Sequence, residues 1–201
     1  MEPSDPISSG AAALGVSLPP GASDRLRRFG ALLRDRAVPL GLISAGDSDR
    51  ILERHVLDSL RAVVALRPTD TSAYDLGTGA GLPGVVVAVA VPRLTVRLVE
   101  ARRRRIGFLE LAVGELELWN AEVVHGRIEE LREPADVCFA RALAPPAESW
   151  RLARPLLRPG GRLVYFAGGR AGLTVPPGVA GSEVVEMPVL ESSGPLVIMA
   201  R

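Results

Sequence analysis

The chain has 201 residues, nearly half of them apolar, and a formal net charge of +1. This length suits one α/β domain with a full hydrophobic core. Bulk charge that close to zero gives no argument for binding to nucleic acid or to a membrane surface. No run of about 18 apolar residues is present, so we expect no membrane span.

The composition divides the chain into a short leading segment and one domain. Residues 1–22 are rich in Ser, Pro, Gly and Ala and lack the basic start and apolar centre of a signal peptide. We predict a disordered lead-in over 1–22 and one domain over 23–201, with N-terminal helices at 23–66 and an α/β core at 71–201. The single cysteine, Cys138, lies in an apolar strand, which favours a buried thiol in a reducing cytoplasm.

Two amphipathic helices are predicted before the core. The first begins with Ser23 as its cap and ends near Arg36, with leucines along one side and arginines along the other. The second is capped by Asp47 or Ser48 and ends near Leu66, before a proline. Both helices would bury one apolar face against the core.

Three polar residues of the second helix, His55, Asp58 and Ser59, fall on or beside its apolar face. One interpretation is a helix edge whose polar groups hydrogen-bond to each other or to the backbone. The other is that this helix covers a ligand pocket. The spacing leaves both interpretations open.

The segment 74–84 holds four glycines between a strand predicted at 72–76 and a buried helix predicted at 85–91. A strand that turns sharply into a helix is where an α/β protein holds a nucleotide. Glycine tolerates positive φ and leaves the backbone open to a ligand, while the helix presents free N–H groups at its N-terminus. This turn is therefore the predicted ligand site.

Two carboxylates bear on the ligand of this turn, and one of them indicates which nucleotide it is. Gly79, Gly81 and Gly84 match the dinucleotide fingerprint, a weak signal on its own. Asp75 would repel a pyrophosphate but suits a ligand with ammonium and sulfonium groups, which favours S-adenosyl-L-methionine (SAM) over a dinucleotide and over a plain structural turn. Glu100, nineteen residues after Gly81, can accept hydrogen bonds from the ribose of either ligand. The alternative for Glu100 is a solvated residue at a helix start.

Four consecutive arginines, Arg102, Arg103, Arg104 and Arg105, open a helix predicted over 101–118. Cations at a helix N-terminus oppose the helix dipole. The run is either a solvated face or a contact for an anionic partner such as RNA, because arginine forks bind phosphate well.

The third strand, predicted at 122–125, is followed by Ile128 and Glu129. In an open parallel sheet the ligand lies over the carboxyl ends of the strands. These two residues are thus expected to frame the adenine end of the ligand. A simple helix cap is the alternative.

The fourth strand, predicted at 136–140, is nearly all apolar, as a strand buried on both faces should be. Arg141 follows at its carboxyl end, a position typical of an active site, and we predict it as the catalytic residue. The alternative is an arginine paired with a carboxylate such as Asp75 or Asp136, since an unpaired buried charge is costly.

The remaining chain predicts a helix at 148–157, a strand at 162–166, and two strands at 183–189 and 196–200 that form an antiparallel hairpin. Seven strands ending in a hairpin favour a class I SAM-dependent methyltransferase, an α/β fold with a Rossmann-like sheet, over a dehydrogenase half-sheet. No convincing hydride-transfer residues are found, which makes a nicotinamide dehydrogenase the weaker alternative.

Several segments together resemble a known family. They are Leu-Glu-Arg-His-Val-Leu-Asp-Ser-Leu at 52–60, Asp-Leu-Gly-Thr-Gly-Ala-Gly-Leu-Pro-Gly at 75–84, Arg-Ile-Glu-Glu at 127–130 and Arg-Ala-Leu-Ala-Pro at 141–145. On these motifs the chain, from about residue 23 to its end, resembles the RsmG (GidB) family of SAM-dependent guanine-N7 methyltransferases of bacterial 16S ribosomal RNA.

The resemblance implies a set of site residues and partners. It implies that Gly77, Leu82, Ile128 and Glu129 contact SAM, that Arg141 lies at the SAM and guanine site, and that His55, Asp58, Arg104 and Arg105 lie near cofactor or RNA. The implied partner is 16S rRNA or the 30S ribosomal subunit. We expect a cytoplasmic monomer with no metal.

The chain departs from the family pattern at a few positions. The family usually has Asn-Leu-Thr where residues 41–43 read Gly-Leu-Ile, a basic residue at Gly46, and a lysine at Ala167. These differences bear on RNA docking more than on SAM binding. They leave open a divergent methyltransferase that acts on another RNA or a small molecule, and a SAM- or RNA-binding relic without turnover.

Overall fold

The computed structural model describes residues 5–169, 174–186, 190 and 193–201. The strands are β1 Ser72–Leu76, β2 Thr95–Glu100, β3 Ala121–His125, β4 Ala135–Arg141, β5 Leu157–Phe166, β6 Gly181–Val185 and β7 Leu196–Ala200. The α-helices are α1 Pro6–Ala13, α2 Ala22–Leu32, α3 Asp58–Leu60, α4 Gly84–Ala90, α5 Arg103–Glu115 and α6 Pro146–Ala153. Short π or 3-10 turns occupy Leu33–Ala37, Ala45–Arg50, Leu52–Leu57, Arg61–Ala65, Ile128–Glu130 and Arg154–Leu156.

The seven strands form one sheet in the order β3-β2-β1-β4-β5-β7-β6. The first five strands are mutually parallel, and β7 runs antiparallel to both β5 and β6. The predicted seven-stranded α/β sheet with a final hairpin is confirmed. The strand order reverses at β1, which has β2 on one side and β4 on the other. A ligand crevice is expected at such a point, at the carboxyl ends of the strands.

The strand predictions differ from the structure mainly at their ends. The first and last strands agree with it, whereas β5 begins five residues before the predicted 162. The strand predicted at 183–189 ends at Val185, and residues 187–189 lie outside the described residues. Cys138 is buried in β4, as predicted, and its burial raises the pKa of the thiol.

The prediction of a disordered segment is wrong for residues 5–22. The helix α1 is capped by Asp5, whose carboxylate accepts a hydrogen bond from the Ser8 N–H at 3.1 Å. Ile7, Ala11 and Leu14 lie on one side of it and are buried at 1%, 1% and 6% exposure. This four- and three-residue spacing is a helical stripe. In the sequence, the surrounding Ser, Pro and Gly residues favoured disorder more strongly than these three apolar residues favoured a helix.

The two predicted N-terminal helices also need correction. The N-cap of α2 is Gly21, not Ser23. Ser23 lies inside the helix, and its hydroxyl donates to Asp5. The predicted helix from 47 or 48 to 66 is a series of short helical turns that begins after Ser44, whose hydroxyl accepts from the Gly46 N–H at 3.3 Å. Changes of helical type inside one segment often accompany functional sites.

Among the described residues, no helix is both long and apolar enough to cross a bilayer. The same residues contain no group of three or more His, Cys, Asp or Glu side chains placed to hold a metal ion.

Candidate functional site

The glycine turn after β1 adopts the left-handed backbone that the sequence predicted. The φ angles of Gly77, Gly79 and Gly81 are +67°, +61° and +87°. Close approach also matters at Gly77, where an added Cβ would lie 2.7 Å from Leu143 Cδ1. A larger residue at Gly77 would therefore meet both backbone strain and a steric clash.

Asp75 lies beneath this turn and is 1% exposed. Its Oδ2 accepts hydrogen bonds from the Gly84 N–H, at 2.7 Å, and from the Thr78 hydroxyl. Its Oδ1 is buried and has no hydrogen-bond partner among the described residues. Asp75 thus links the end of β1 to the start of α4.

Replacing Asp75 should change how stability depends on pH. Burial raises the pKa of Asp75 from 3.8 to about 6, so the folded protein holds a proton that the unfolded chain releases. The free energy of unfolding therefore loses about 3 kcal/mol from this group as pH rises from about 4 to above 6. Asp75→Asn lacks this contribution. We expect the wild-type minus Asp75→Asn difference, from urea unfolding at pH 4 to 7.5, to decline with pH; a constant difference would contradict the assignment.

A first cleft of about 350 Å³ opens beside the glycine turn, at the carboxyl ends of the parallel strands. Of the predicted cofactor residues, Gly77, Glu100, Ile128 and Glu129 line it, whereas Asp75, Gly79, Leu82 and Arg141 are not among its lining residues. The full lining is Gly77, Val99, Glu100, Ala101, Arg102, Arg105, Gly126, Arg127, Ile128, Glu129, Ala142 and Leu143.

Glu100 joins the glycine turn to the arginine run. Its Oε2 accepts from the Gly79 N–H at 3.2 Å and from Arg105 Nη1 at 3.0 Å. Its Oε1 accepts from the Arg102 N–H at 2.8 Å. Glu100 is 4% exposed, so the alternative of a solvated residue does not hold. The sequence analysis missed its pairing with Arg105, because Glu100 ends a strand and Arg105 lies in the following helix, a separation that no local pattern predicts.

The arginine run, residues 102–105, contacts the start of the 41–46 segment. Arg102, Arg103 and Arg104 are exposed, and Arg104 donates a hydrogen bond to the Leu40 carbonyl. An added Cβ on Gly41 would lie 3.7 Å from Arg104 Nη2. Arg104 therefore packs against residues 40 and 41, the start of the segment expected to differ from the family.

A second cleft of about 370 Å³ meets the first at Ala142, which lines both. Ala142 has a φ of +51°, uncommon for a residue other than glycine. The second cleft is lined by Arg54, His55, Asp58, Arg61, Arg141, Ala142, Tyr165, Phe166, Ala167, Gly168, Ser193 and Gly194.

Arg141 reaches into the second cleft from the end of β4. Its Nη2 lies 3.1 Å from Asp58 Oδ2 and donates to the Arg54 carbonyl at 2.7 Å. Arg141 is thus paired with a carboxylate, but the predicted partners Asp75 and Asp136 were wrong. Asp136 instead accepts from the N–H groups at the start of β1 and pairs with Arg158 at 2.7 Å.

The three polar residues of the second predicted helix gather around the same guanidinium. His55 Nδ1 lies 3.3 Å from Arg141 Nη2, and the Ser59 hydroxyl lies 3.5 Å from Arg141 Nη1. The first interpretation of this trio is confirmed, because its members contact polar partners. His55 and Asp58 also line the cleft, and a ligand there stays a prediction.

His55 is held in its neutral form. Burial lowers its pKa, and the positive charge of Arg141 lowers it further, against the opposing charge of Asp47. Because Nδ1 faces the Arg141 guanidinium, we assign the ring proton to Nε2, which lies 3.5 Å from Asp47 Oδ2. The ring therefore accepts from Arg141 and adds no charge to the cleft at neutral pH.

Two residues of this network were missed in the sequence. Arg61 is 1% exposed and donates to Asp58 Oδ1 at 2.7 Å and to the Gly194 carbonyl at 2.6 Å. The Ser193 hydroxyl also donates to Asp58 Oδ1, at 2.7 Å. The three-residue spacing of Arg61 from Asp58 was a usable signal. Nothing local could have identified Ser193, which comes from the far end of the chain.

Comparison with known proteins gives consistent matches. A model of the GidB family, described as rRNA small subunit methyltransferase G, matches residues 22–172. The ribosomal RNA small subunit methyltransferase G of Thermobifida fusca is 43% identical over 147 residues, covering 72% of this chain and 62% of the relative. The protein of the same name from Chlorobium luteolum is 37% identical over 162 residues, covering 79% and 67%. The chain thus spans about two thirds of the length of these curated relatives.

Solved structures agree on the fold. A SAM-dependent methyltransferase from Aquifex aeolicus superposes with a TM-score of 0.54 at 16% identity, covering 77% of this chain and 93% of that one. The apo form of the SAM-dependent methyltransferase SibL gives a TM-score of 0.60 at 15% identity, covering 98% and 69%. At such low identity these likenesses concern the fold alone.

Proposed function

Because this chain belongs to the GidB family of rRNA small subunit methyltransferases G, we propose that it transfers a methyl group from SAM to N7 of a guanine in 16S rRNA. The observation that carries the proposal is the convergence of Gly77, Glu100, Ile128 and Glu129 on one cleft at the carboxyl ends of parallel strands. A second cleft with Arg141 adjoins it at Ala142, which suits a reaction between two bound molecules.

The residues of the first cleft fit SAM. The Glu100 carboxylate is suited to ribose hydroxyls, and Ile128 gives the adenine an apolar contact. Gly77 leaves the backbone of the turn open to the cleft, because it has no Cβ. When bound, SAM supplies an electrophilic methyl group on a sulfonium.

The task of the protein in this reaction is positioning. Guanine N7 keeps its lone pair at neutral pH, so the acceptor needs no general base. The walls of the two clefts would align the acceptor with the methyl group and exclude water. Arg141 would orient the guanine or its phosphate from the second cleft, as the catalytic residue that touches the substrate. The RNA backbone would be bound near the entrance by the arginine run, Arg102, Arg103, Arg104 and Arg105. The proposed partner is 16S rRNA or the 30S subunit, and the proposed form of the protein is a cytoplasmic monomer.

The exposed cations should make RNA binding depend on salt. In Arg103→Gln/Arg104→Gln we expect the slope of log affinity against log salt to become shallower by about 1 to 2, because each phosphate contact releases counterions. Fluorescence titration of 16S rRNA fragments across a salt series measures the slope. The matched control is Arg151→Gln/Arg154→Gln, which removes two exposed arginines outside the run. Equal slopes for both double variants would contradict a role for the run.

The proposal is tested by methyl transfer from labelled SAM to hypomodified 30S subunits, with primer extension to map the modified nucleotide. We expect label on one guanine of 16S rRNA, and loss of that modification in a deletion strain. Label on another nucleotide, or survival of the modification after deletion, would refute the assignment.

A divergent methyltransferase is the second candidate. Gly41 lies beside Arg104, and Ala167 lines the second cleft, so the departures from the family pattern fall where RNA would dock. Parallel assays with bulk tRNA and small acceptors would detect such an activity. SAM binding by calorimetry without transfer to any acceptor would instead indicate a relic without turnover.

A further inference from the structure

Asp58 lies between two arginines at the floor of the second cleft and is 8% exposed. Its Oδ1 accepts from Arg61 Nη1 and from the Ser193 hydroxyl, both at 2.7 Å. Its Oδ2 faces Arg141 Nη2 at 3.1 Å. One carboxylate therefore bonds to the cleft arginine, to a buried arginine and to the segment that precedes β7.

The contacts of Arg141 anchor mainly one end of its guanidinium. Nη2 faces Asp58, the Arg54 carbonyl and His55 Nδ1, whereas Nη1, within the described part of the chain, has one long contact, to Ser59 at 3.5 Å. Of these partners, Asp58 alone carries a negative charge, and it faces Nη2 as an ion pair at 3.1 Å. Attraction between opposite charges is strong in a partly desolvated cleft, so Asp58 is the main restraint on the guanidinium.

The charge of Asp58 also matters for the proposed reaction. Methyl transfer from a sulfonium to neutral guanine moves one positive charge toward the acceptor. A guanidinium beside the acceptor opposes that movement unless a carboxylate offsets it, and the effect is strong in a partly desolvated cleft. Among the described residues that line the second cleft, Asp58 is the one carboxylate.

We infer that Asp58 is a positioning residue, which fixes the Arg141 guanidinium at the border of the two clefts and offsets its charge while the acceptor is bound. The inference rests on the proposed methyl transfer and adds the residue that prepares Arg141 for it. Arg61 supports Asp58 in turn, because its buried guanidinium holds the other carboxylate oxygen.

A purely structural ion pair is the competing explanation, and the chain contains a matched example. Arg162 and Asp70 form a buried pair, with side chains 4% and 5% exposed, and neither residue lines either cleft. Breaking a buried pair by removing one charge costs stability wherever the pair lies. Comparison of Asp58→Asn with Asp70→Asn therefore separates a cost in stability from a cost in catalysis.

The experiment measures kcat and KM for methyl transfer to hypomodified 30S subunits, referred to the folded fraction from urea unfolding. We expect Asp58→Asn to lower kcat about a hundredfold with the SAM dissociation constant unchanged, because displaced contact groups cost that much. Asp70→Asn should lose stability and keep kcat.

Asp58→Glu covers the case in which Asp58→Asn does not fold. It keeps the charge but moves it by one methylene, so kcat should still fall at least about tenfold. Wild-type kcat in Asp58→Asn or Asp58→Glu would overturn the inference, as would an equal loss of kcat in Asp70→Asn.

A second readout separates this inference from the proposed function. Slowly rotating Arg141 guanidinium signals in nitrogen NMR should be present in the wild type and lost in Asp58→Asn. If the wild-type protein methylates no rRNA, the proposed function fails. The NMR signals then still test whether Asp58 holds the Arg141 guanidinium in place. Unchanged Arg141 signals in Asp58→Asn would overturn it.

Discussion

Glu100→Ala should weaken SAM binding by about a hundredfold or more. The substitution removes the carboxylate proposed for the ribose and also leaves the Gly79 and Arg102 N–H groups without their acceptor. A charge-assisted hydrogen bond contributes about 1.5–3 kcal/mol, and about 3 kcal/mol corresponds to a hundredfold in the dissociation constant. Isothermal titration with SAM measures the effect.

Two control variants make the Glu100 result specific. Glu122→Ala removes an exposed glutamate of the neighbouring strand that pairs with Arg97, and SAM affinity should not change. Glu100→Gln keeps one acceptor oxygen and should fall between wild type and Glu100→Ala. A wild-type dissociation constant in Glu100→Ala would remove this residue from the cofactor site.

Gly84→Ala should destabilise the protein by about 3 kcal/mol, even though alanine is the better helix former. An added Cβ at Gly84 would lie 2.3 Å from Leu98 Cδ2 and 2.6 Å from Asp75 Oδ2. Both neighbours are buried in the sheet and cannot move freely. Urea unfolding monitored by circular dichroism measures the change.

The matched control for Gly84 lies in another helix. Gly114, in α5, has no atom within 4 Å of an added Cβ. Gly114→Ala should therefore stabilise the protein by about 0.5–1 kcal/mol, the ordinary gain of alanine over glycine in a helix. If both substitutions shifted stability in the same direction, helix propensity rather than close packing would govern Gly84.

The sequence predicted the features that depend on local chemistry. The apolar run of β4 and the four glycines after β1 each have few structural solutions, because buried strands need apolar residues and left-handed turns need glycine. Asp75 and Glu100 lie at the ends of their strands as predicted, although Asp75 does not line the first cleft. The fold class followed from these segments, and the binding of a ligand in the first cleft stays a prediction.

The sequence could not predict contacts between distant segments. Arg141 was expected to pair with Asp75 or Asp136, but the partner is Asp58 from a helical segment that precedes the sheet. The contribution of Ser193 depends on how the chain before β7 meets that same segment, which no local pattern records. Likewise, the breaks in the helix predicted up to residue 66 reflect tertiary contacts that override helix propensity.

Ala142 lines both clefts. In the proposed reaction, a donor in the first cleft and an acceptor in the second would meet beside the smallest chiral side chain. Its neighbours face different clefts, with Leu143 in the lining of the first and Arg141 in the lining of the second. A valine or larger side chain at position 142 would place extra bulk between the two clefts. It would separate the two bound molecules while the other lining residues of each cleft stayed unchanged.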